Sequence, residues 1–555
     1  MIKLSWHELQ DRLPQHLRRA LLQGSVGSMH LADMAENALS QAAGKQGEEQ
    51  SFFLSLGLDM LLTLFEGDCL DYNLATQLKA LHNKTSFLPA PVLAIVDWLL
   101  ASHMPPPDQR YFYRLLEERD AEKLCFYLDD QIRKEPKNAY WLSQAVMVGM
   151  VESRFDWLED IIGLTSGLPG IVLAVLKANL AFARKDYVRA AGLYGQATDA
   201  LNLNRWRSRQ AYALYHAGEE ELAMPLWLGS LSRRPWQTNE ILCLYDIVRG
   251  LAKSKVAPQG RGAALFYTWN KAADIDLALK AVFASELGGA AVIVLNNGST
   301  DNTGAVLKGW LEKAGPERMR IVDLPINVGA PAARNWLAAL PEVRECDWFA
   351  YLDDDAEVPP DWLLRLGAAM QAYPDAGVYG CKVVDAQNSI MIQSADLHMN
   401  AGGGDLDANS GLNRNFQISS LQIQDFDYGQ FDYIRPTLSV TGCCHLFKRE
   451  LFDKVGGFDL RYSPSQYDDL EHDIRRAMQG WLPVYQGHLS VRHAKQTGKA
   501  ARLSQSQYSN AMGNLMKLQN RYSSNEFEAA RRFDEDAALA DILRKGAELE
   551  KCLGE

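Results

Sequence analysis

Cysteine is scarce and scattered in this chain. Eight thiols (Cys69, Cys125, Cys243, Cys346, Cys381, Cys443, Cys444 and Cys552) are spread over 555 residues, and none form a C-x-x-C pair. That argues against a zinc ribbon or a disulfide framework and makes reduced, buried thiols the expectation. Long apolar runs are missing as well. The most apolar stretch, 87–101, contains Pro89, Pro91 and Asp97, and is too short and broken to span a bilayer. The opening residues, MIKLSWHELQDRLPQHLRR, have charges in every turn and no apolar core of the kind a secretory signal needs. A cytoplasmic protein with no transmembrane segment is therefore expected. Basic charge is not in excess: 57 Lys and Arg stand against 69 Asp and Glu, a net charge of −12. This argues against nucleic-acid binding through bulk charge, although a local basic cleft could still hold phosphates. At 47% hydrophobic and 23% charged residues the composition is that of a globular protein, not a disordered one. The length suggests about three or four domains.

Residues 1 to about 255 read as helices. Apolar residues recur at three and four, as in Met60, Leu61, Leu64 and Phe65, or Val92, Val96, Leu99 and Leu100. Part of this half repeats itself. Ala190, Tyr194 and Ala197 lie 33 residues before Ala223, Trp227 and Ser230, with weaker echoes at 154–157 and 119–122. A small residue, a bulky one and a small one let two antiparallel helices approach closely. The pattern resembles the tetratricopeptide repeat; a plain helical bundle is the alternative. We divide this half into a helical region, 1–110, and a repeat-like region, 111–255. A helical solenoid has no evident chemistry of its own, but presents a surface to a partner.

The text changes at 256–262, VAPQGRG. Short buried runs now alternate with helical patterns. Strands are expected at 263–268, 290–295, 319–324 and 348–352, and helices at 275–286, 303–314 and 332–340. This alternation predicts an α/β domain over 256–500, with a mostly parallel sheet. Ligands on such sheets bind at the carboxyl ends of the strands. The last segment, 501–555, reads as charged helices packed on that domain.

Four polar clusters stand at expected strand ends: Thr268-Trp269-Asn270-Lys271, Asn296 to Asp301, Asn327 to Asn335, and Asp353-Asp354-Asp355. Three carboxylates after a buried strand repel one another unless a cation compensates them. Hard oxygen ligands suit Mg²⁺ or Mn²⁺, which commonly bridge to phosphates. A solvated acidic turn is the other reading of the triplet alone.

Together the clusters resemble family 2 of the glycosyltransferases, which have the nucleotide-sugar-binding, Rossmann-like GT-A fold. The resemblance is carried by Tyr267 to Asn270, by Asn296 to Asp301, by N-x-G-x-x-x-A-R-N at 327–335 and by L-D-x-D at 352–355. It continues with Arg449, Phe452, Val455, Gly456, Gly457, Phe458 and Asp459, with Asp468 to Arg475, and with a strand closing on His493. It covers roughly 262–495; nothing comparable covers 1–255.

The resemblance implies an inverting, metal-dependent transfer from a nucleoside-diphosphate sugar to a hydroxyl. Asp353 and Asp355, with His493 as a further candidate, would hold Mn²⁺ or Mg²⁺. Thr268, Asn270, Asn296, Asn297, Arg334, Asp353 and Asp354 would bind the donor, and Lys495 and Lys499 could add phosphate charge. Asp469, where a helix begins, would be the general base. Glu471 and Arg475 are spaced to form a local ion pair. Two positions depart from the family: Asp468 stands where Glu is usual, and Asn296 where Asp is frequent, which leaves the base preference open. The segment 395–435, with its glycines at 402–404, could be an acceptor lid or a surface loop. The helical half would read the acceptor, expected to be a cytoplasmic protein such as flagellin. A surface-polysaccharide or lipid-linked precursor is the alternative. A reading of another class is a binding scaffold with an idle GT-A domain.

Overall fold

The structure is a computed structural model; it describes residues 6–201, 203–402, 414–494 and 505–554. The chain divides into two compact units, Met1–Glu240 and Ile241–Glu555.

All described elements of the first unit are helices. Several begin on side-chain caps that satisfy the free N–H groups of a first turn. Asp71 accepts from Leu74 N at 3.0 Å, Asp120 from Lys123 N at 3.1 Å, and Asn138 from Tyr140 N at 3.0 Å. The repeated triplets fall on the helices Tyr187–Leu201 and Glu220–Leu231. Ala190, Tyr194, Ala197, Ala223, Trp227 and Ser230 are all fully buried. Between the helices Gly170–Ala183 and Tyr187–Leu201, Tyr194 OH donates to Asn179 Oδ1 at 2.6 Å. The unit also buries charge. Arg234 pairs with Glu66 at 2.8 Å and with Asp59 at 2.7 Å.

The second unit is built on a ten-stranded sheet. Its strands are β1 (Gly262–Thr268), β2 (Ala291–Asn297), β3 (Met319–Leu324), β4 (Trp348–Asp353), β5 (Ala356–Glu357), β6 (Val378–Asp385), β7 (Ile392–Ser394), β10 (Ile434–Pro436), β11 (Cys444–Lys448) and β12 (Val484–His493), while β8 (Met399–Ala401) and β9 (Phe416–Ile418) form a separate pair. The order is β10-β12-β6-β11-β4-β1-β2-β3. β3, β2, β1 and β4 are parallel, β11 runs antiparallel between β4 and β6, and β6 and β12 are parallel. This is the expected class: an α/β GT-A sheet preceded by an all-α region.

The helix Thr303–Ala314 and strand β3 have the bounds read from the sequence. The helix expected from 332 begins instead at Ala330, with Pro331 in its first turn, where a missing N–H costs nothing. The helix expected from 275 begins at Ala272.

The described residues of segment 395–435 include β8 and β9. Met399 of β8 and Phe416 of β9 share an apolar cluster with Leu518, Phe527 and Ala530. Those three belong to the helices Gln505–Gln519 and Ser524–Gly554. Gly403, Gly404 and Asp405 lie outside the described residues. The last helix is also anchored by charge. Buried Lys545 lies 3.3 Å from Asp541 and 3.7 Å from Asp246, and Asp246 accepts from Ile434 N at 2.6 Å and pairs with His488 at 3.0 Å. No helix among the described residues is long and apolar enough to cross a membrane.

Candidate functional site

Parallel strands end together, so their last residues form one rim. Register aligns Thr268, Asn296 and Asp323 across β1, β2 and β3, and Tyr267 with Asp353 across β1 and β4. β5 pairs with the end of β12, matching Ala356 to His493. This pairing brings a histidine from the far side of the sheet to the acidic turn after β4.

There Asp355 is held from both sides. His493 Nε2 is 2.9 Å from Oδ1, and Lys271 Nζ is 2.5 Å from Oδ2. Lys271 also reaches Asp354 Oδ1 at 3.1 Å, and His493 Nε2 lies 3.8 Å from Asp353 Oδ2. The compensating cation that the three carboxylates require is thus partly internal. Burial works to raise the Asp355 pKa, but the His493 hydrogen bond and the charges of His493 and Lys271 outweigh it and hold it below the usual range. Burial pushes Asp354 up to about 6 against the pull of Lys271.

Arg334, on the helix Ala330–Ala339, is not a surface residue; it is 3% exposed. Its guanidinium is 2.6 Å from Asp468 and 3.7 Å from Asp353, and lies over the rings of Tyr267 and Phe458. Tyr267 OH donates to Asp353 Oδ1 at 3.2 Å. Burial raises Asp468 to about 6, with Arg334 opposing.

Asp469 stands in the first turn of the helix Asp468–Ala477, where the helix dipole favours a carboxylate. Its Oδ2 accepts from Gly442 N at 2.8 Å. The neighbouring Cys443 carbonyl accepts from Asp353 N at 2.9 Å. Residues 442 and 443 therefore tie Asp469 to the end of β4.

The remaining sequence-predicted residues shape the same edge. Asn270, in a left-handed conformation, accepts from Thr300 N at 2.7 Å. Asn296 donates through Nδ2 to Asp323 Oδ1 at 2.9 Å and accepts from Ser299 N at 3.2 Å. Asn297 donates to Asn327 Oδ1 at 3.0 Å and accepts from Val328 N at 2.9 Å. Thr268 is buried. The turn needs Gly298: its φ is +71°, and a Cβ there would stand 2.5 Å from the Ile326 carbonyl carbon. Glu471 and Arg475 form their ion pair at 3.1 Å. Lys495 and Lys499 lie outside the described residues.

Sequence reasoning missed three participants. Gly442 supplies the N–H that orients Asp469. Gln393 Oε1 lies 2.8 Å from His493 Nδ1. Cys443 Sγ, the Asp353 carboxylate and the His493 ring nitrogen all lie within 4.8 Å of one another. No motif spacing links these positions. Only the placement of 443 just ahead of a strand antiparallel to β4 could have indicated them.

Residues 265–456 match the sequence model of the family described as Glycosyl transferase family 2. The chain is 26% identical over 212 residues to the O-antigen biosynthesis protein RfbC of Myxococcus xanthus, covering 38% of this chain and 15% of that protein. It is 27% identical over 217 residues to the N-acetylglucosaminyl-diphospho-decaprenol L-rhamnosyltransferase of Mycobacterium tuberculosis (strain CDC 1551 / Oshkosh), covering 37% of this chain and 66% of that one. The chain thus spans less than two thirds of these relatives. Among solved structures it is similar to GalNAc-T7 with UDP, GalNAc and Mn²⁺ (TM-score 0.38, 12% identity, 48% of this chain and 50% of that). It is also similar to the mannosyltransferase PcManGT from Pyrobaculum calidifontis in complex with GDP-Man and Mn²⁺ (TM-score 0.31, 18% identity, 56% of this chain and 88% of that). With this match falling on the strands that build the rim, residues 265–456 are a glycosyl transferase family 2 domain.

Proposed function

We propose that this chain transfers a glycosyl group from a nucleoside-diphosphate sugar to an acceptor hydroxyl, with inversion at the anomeric carbon. The supporting observation is the link through Gly442 and Cys443, which joins the Asp469 carboxylate to the acidic end of β4. A base and a leaving-group site must face each other across one sugar. Asp469 would take the proton from the acceptor hydroxyl as its oxygen attacks. Thr268, Asn270, Asn296, Asn297 and Asp354 would line the donor, and Arg334 would keep the helix of Asp469 aligned with Asp353.

Asp353 and Asp355 each lie within 4 Å of His493 Nε2, and two carboxylates beside an imidazole are donors that fit a divalent cation such as Mn²⁺ or Mg²⁺. A bound cation there supplies charge neutralisation for the departing diphosphate.

For the acceptor, the two relatives, an O-antigen biosynthesis protein and an N-acetylglucosaminyl-diphospho-decaprenol L-rhamnosyltransferase, favour a surface-glycan or lipid-linked precursor. The helical unit is the reason to keep a protein acceptor, flagellin among them, as the second reading. A cytoplasmic setting belongs to the same proposal. The idle-scaffold reading is disfavoured by the retained Asp353, Asp355 and Asp469.

The test is nucleoside diphosphate release from a panel of nucleotide-sugars, with and without Mn²⁺. Metal-dependent release that is lost in Asp469→Asn supports the assignment. Undiminished release in that variant overturns the role of Asp469. No release with any donor overturns the enzyme reading.

A further inference from the structure

The cation set just described consists of hard or borderline donors. The structure adds a sulfur to it. Cys443 is 3% exposed, and its Sγ shares one 4.8 Å cluster with the Asp353 carboxylate and a His493 ring nitrogen. The three come from different elements: the end of β4, the residue before β11 and the end of β12.

Backbone geometry fixes this meeting. Asp353 N donates to the Cys443 carbonyl at 2.9 Å, and the next pair in register is Leu352 with Cys444. Cys443 therefore cannot move away from Asp353 without breaking the β4–β11 ladder. His493 is fixed by its register with Ala356 and Asp385. Gln393 holds the outer edge of its ring: Oε1, an acceptor, lies 2.8 Å from Nδ1. A proton kept on Nδ1 by Gln393 makes Nε2, which otherwise faces Asp355 Oδ1 at 2.9 Å, the atom that loses its proton and ligates, and second-shell partners of this kind orient metal-bound histidines.

We infer that Asp353, Cys443 and His493 form a mixed oxygen, sulfur and nitrogen site that binds a borderline divalent ion such as Zn²⁺ or Co²⁺ in preference to Mg²⁺. Thiolate and imidazole favour such ions, whereas Mg²⁺ demands oxygen. The spacing is compatible. Metal–ligand bonds of about 2.0–2.3 Å in a tetrahedral site put ligand atoms roughly 3.4–3.7 Å apart. Asp353 Oδ2 and His493 Nε2 are already 3.8 Å apart. Binding displaces the thiol proton and the Nε2 proton that His493 directs at Asp355 Oδ1, and both leave to solvent. The inference extends the proposed cation site by naming the kind of ion, but its test needs no sugar donor.

The full chain is titrated with Co²⁺ and its absorption recorded. Sulfur ligation gives a thiolate-to-cobalt charge-transfer band in the near ultraviolet. The band is expected in the wild type, absent in Cys443→Ser, and weakened in His493→Gln. Competition should place Zn²⁺ above Mg²⁺, with Cys443→Ser lowering Zn²⁺ affinity by about tenfold or more and Mn²⁺ affinity by less than about twofold. A wild type without the band overturns the inference, as does a band that persists in Cys443→Ser. If Cys443→Ser fails to fold, the wild-type titration and His493→Gln decide: an unchanged band in His493→Gln overturns it. Donor turnover is measured separately, so failure here leaves the transferase reading to its own test.

Discussion

Arg334 donates to Asp468 at 2.6 Å, with both side chains about 4% exposed. Removing one partner of such a pair strands the other in a medium that solvates it poorly. Arg334→Met is therefore expected to cost about 3 kcal/mol of stability at pH 8. The loss should be smaller at pH 5, because Asp468, already pushed up to about 6 by burial, can take a proton instead. Denaturant unfolding at the two pH values checks both the loss and its direction.

Asp469→Asn keeps the shape of the side chain and removes its basicity. Turnover should fall roughly a hundred- to ten-thousand-fold, while donor affinity changes by less than about twofold. Steady-state kinetics beside calorimetric binding separate the two effects.

Asp473 gives a pH signature in stability. It accepts from Ser439 Oγ at 2.8 Å and from Val440 N at 3.2 Å, and burial raises it to about 7. The folded state then binds a proton that the unfolded state releases near pH 4. The contribution of this group is fully present below pH 4 and is lost as pH rises toward 7. Asp473→Asn should flatten that part of the stability profile; an unchanged slope would count against the raised value.

Packing in the helical unit is tested by size. Trp227→Ala should cost about 3–5 kcal/mol and Ala190→Leu about 1–3 kcal/mol, since one opens a cavity and the other forces two helices apart. Unfolding midpoints of the two variants provide the comparison.

Truncation tests where the α/β unit can begin. A fragment starting at residue 241 keeps Asp246, the carboxylate shared by Ile434 N, His488 and Lys545. A fragment starting at 255 loses it, which takes the acceptor from Ile434 N and His488 and leaves Lys545 with Asp541 as its carboxylate. The longer fragment should fold cooperatively and the shorter one should melt several degrees lower; equal melting temperatures would refute the anchoring role of Asp246.

The sheet was legible because its strands are short buried runs ending in polar clusters, as at Asn296 and Asp353. The partners of those carboxylates were not. Lys271 follows a strand by three residues, yet its pairing with Asp354 and Asp355 depends on the register of β1 beside β4. Arg334 looks like any helical arginine until burial places it between Asp353 and Asp468. Cys443 and Gln393 reach the rim only through β11, β6 and β7 pairing, which no local pattern encodes. The helix expected from 332 starts two residues earlier, at Ala330, because Pro331 in a first turn needs no N–H partner.

Position 442 has no room for a side chain: a Cβ would come within 2.5 Å of the Arg334 guanidinium. The short span from 442 to 443 thus behaves as a rigid ruler. It sets the spacing between the Asp469 carboxylate and the end of β4, so under the proposed reaction the room left for one sugar is measured out by two consecutive peptide units.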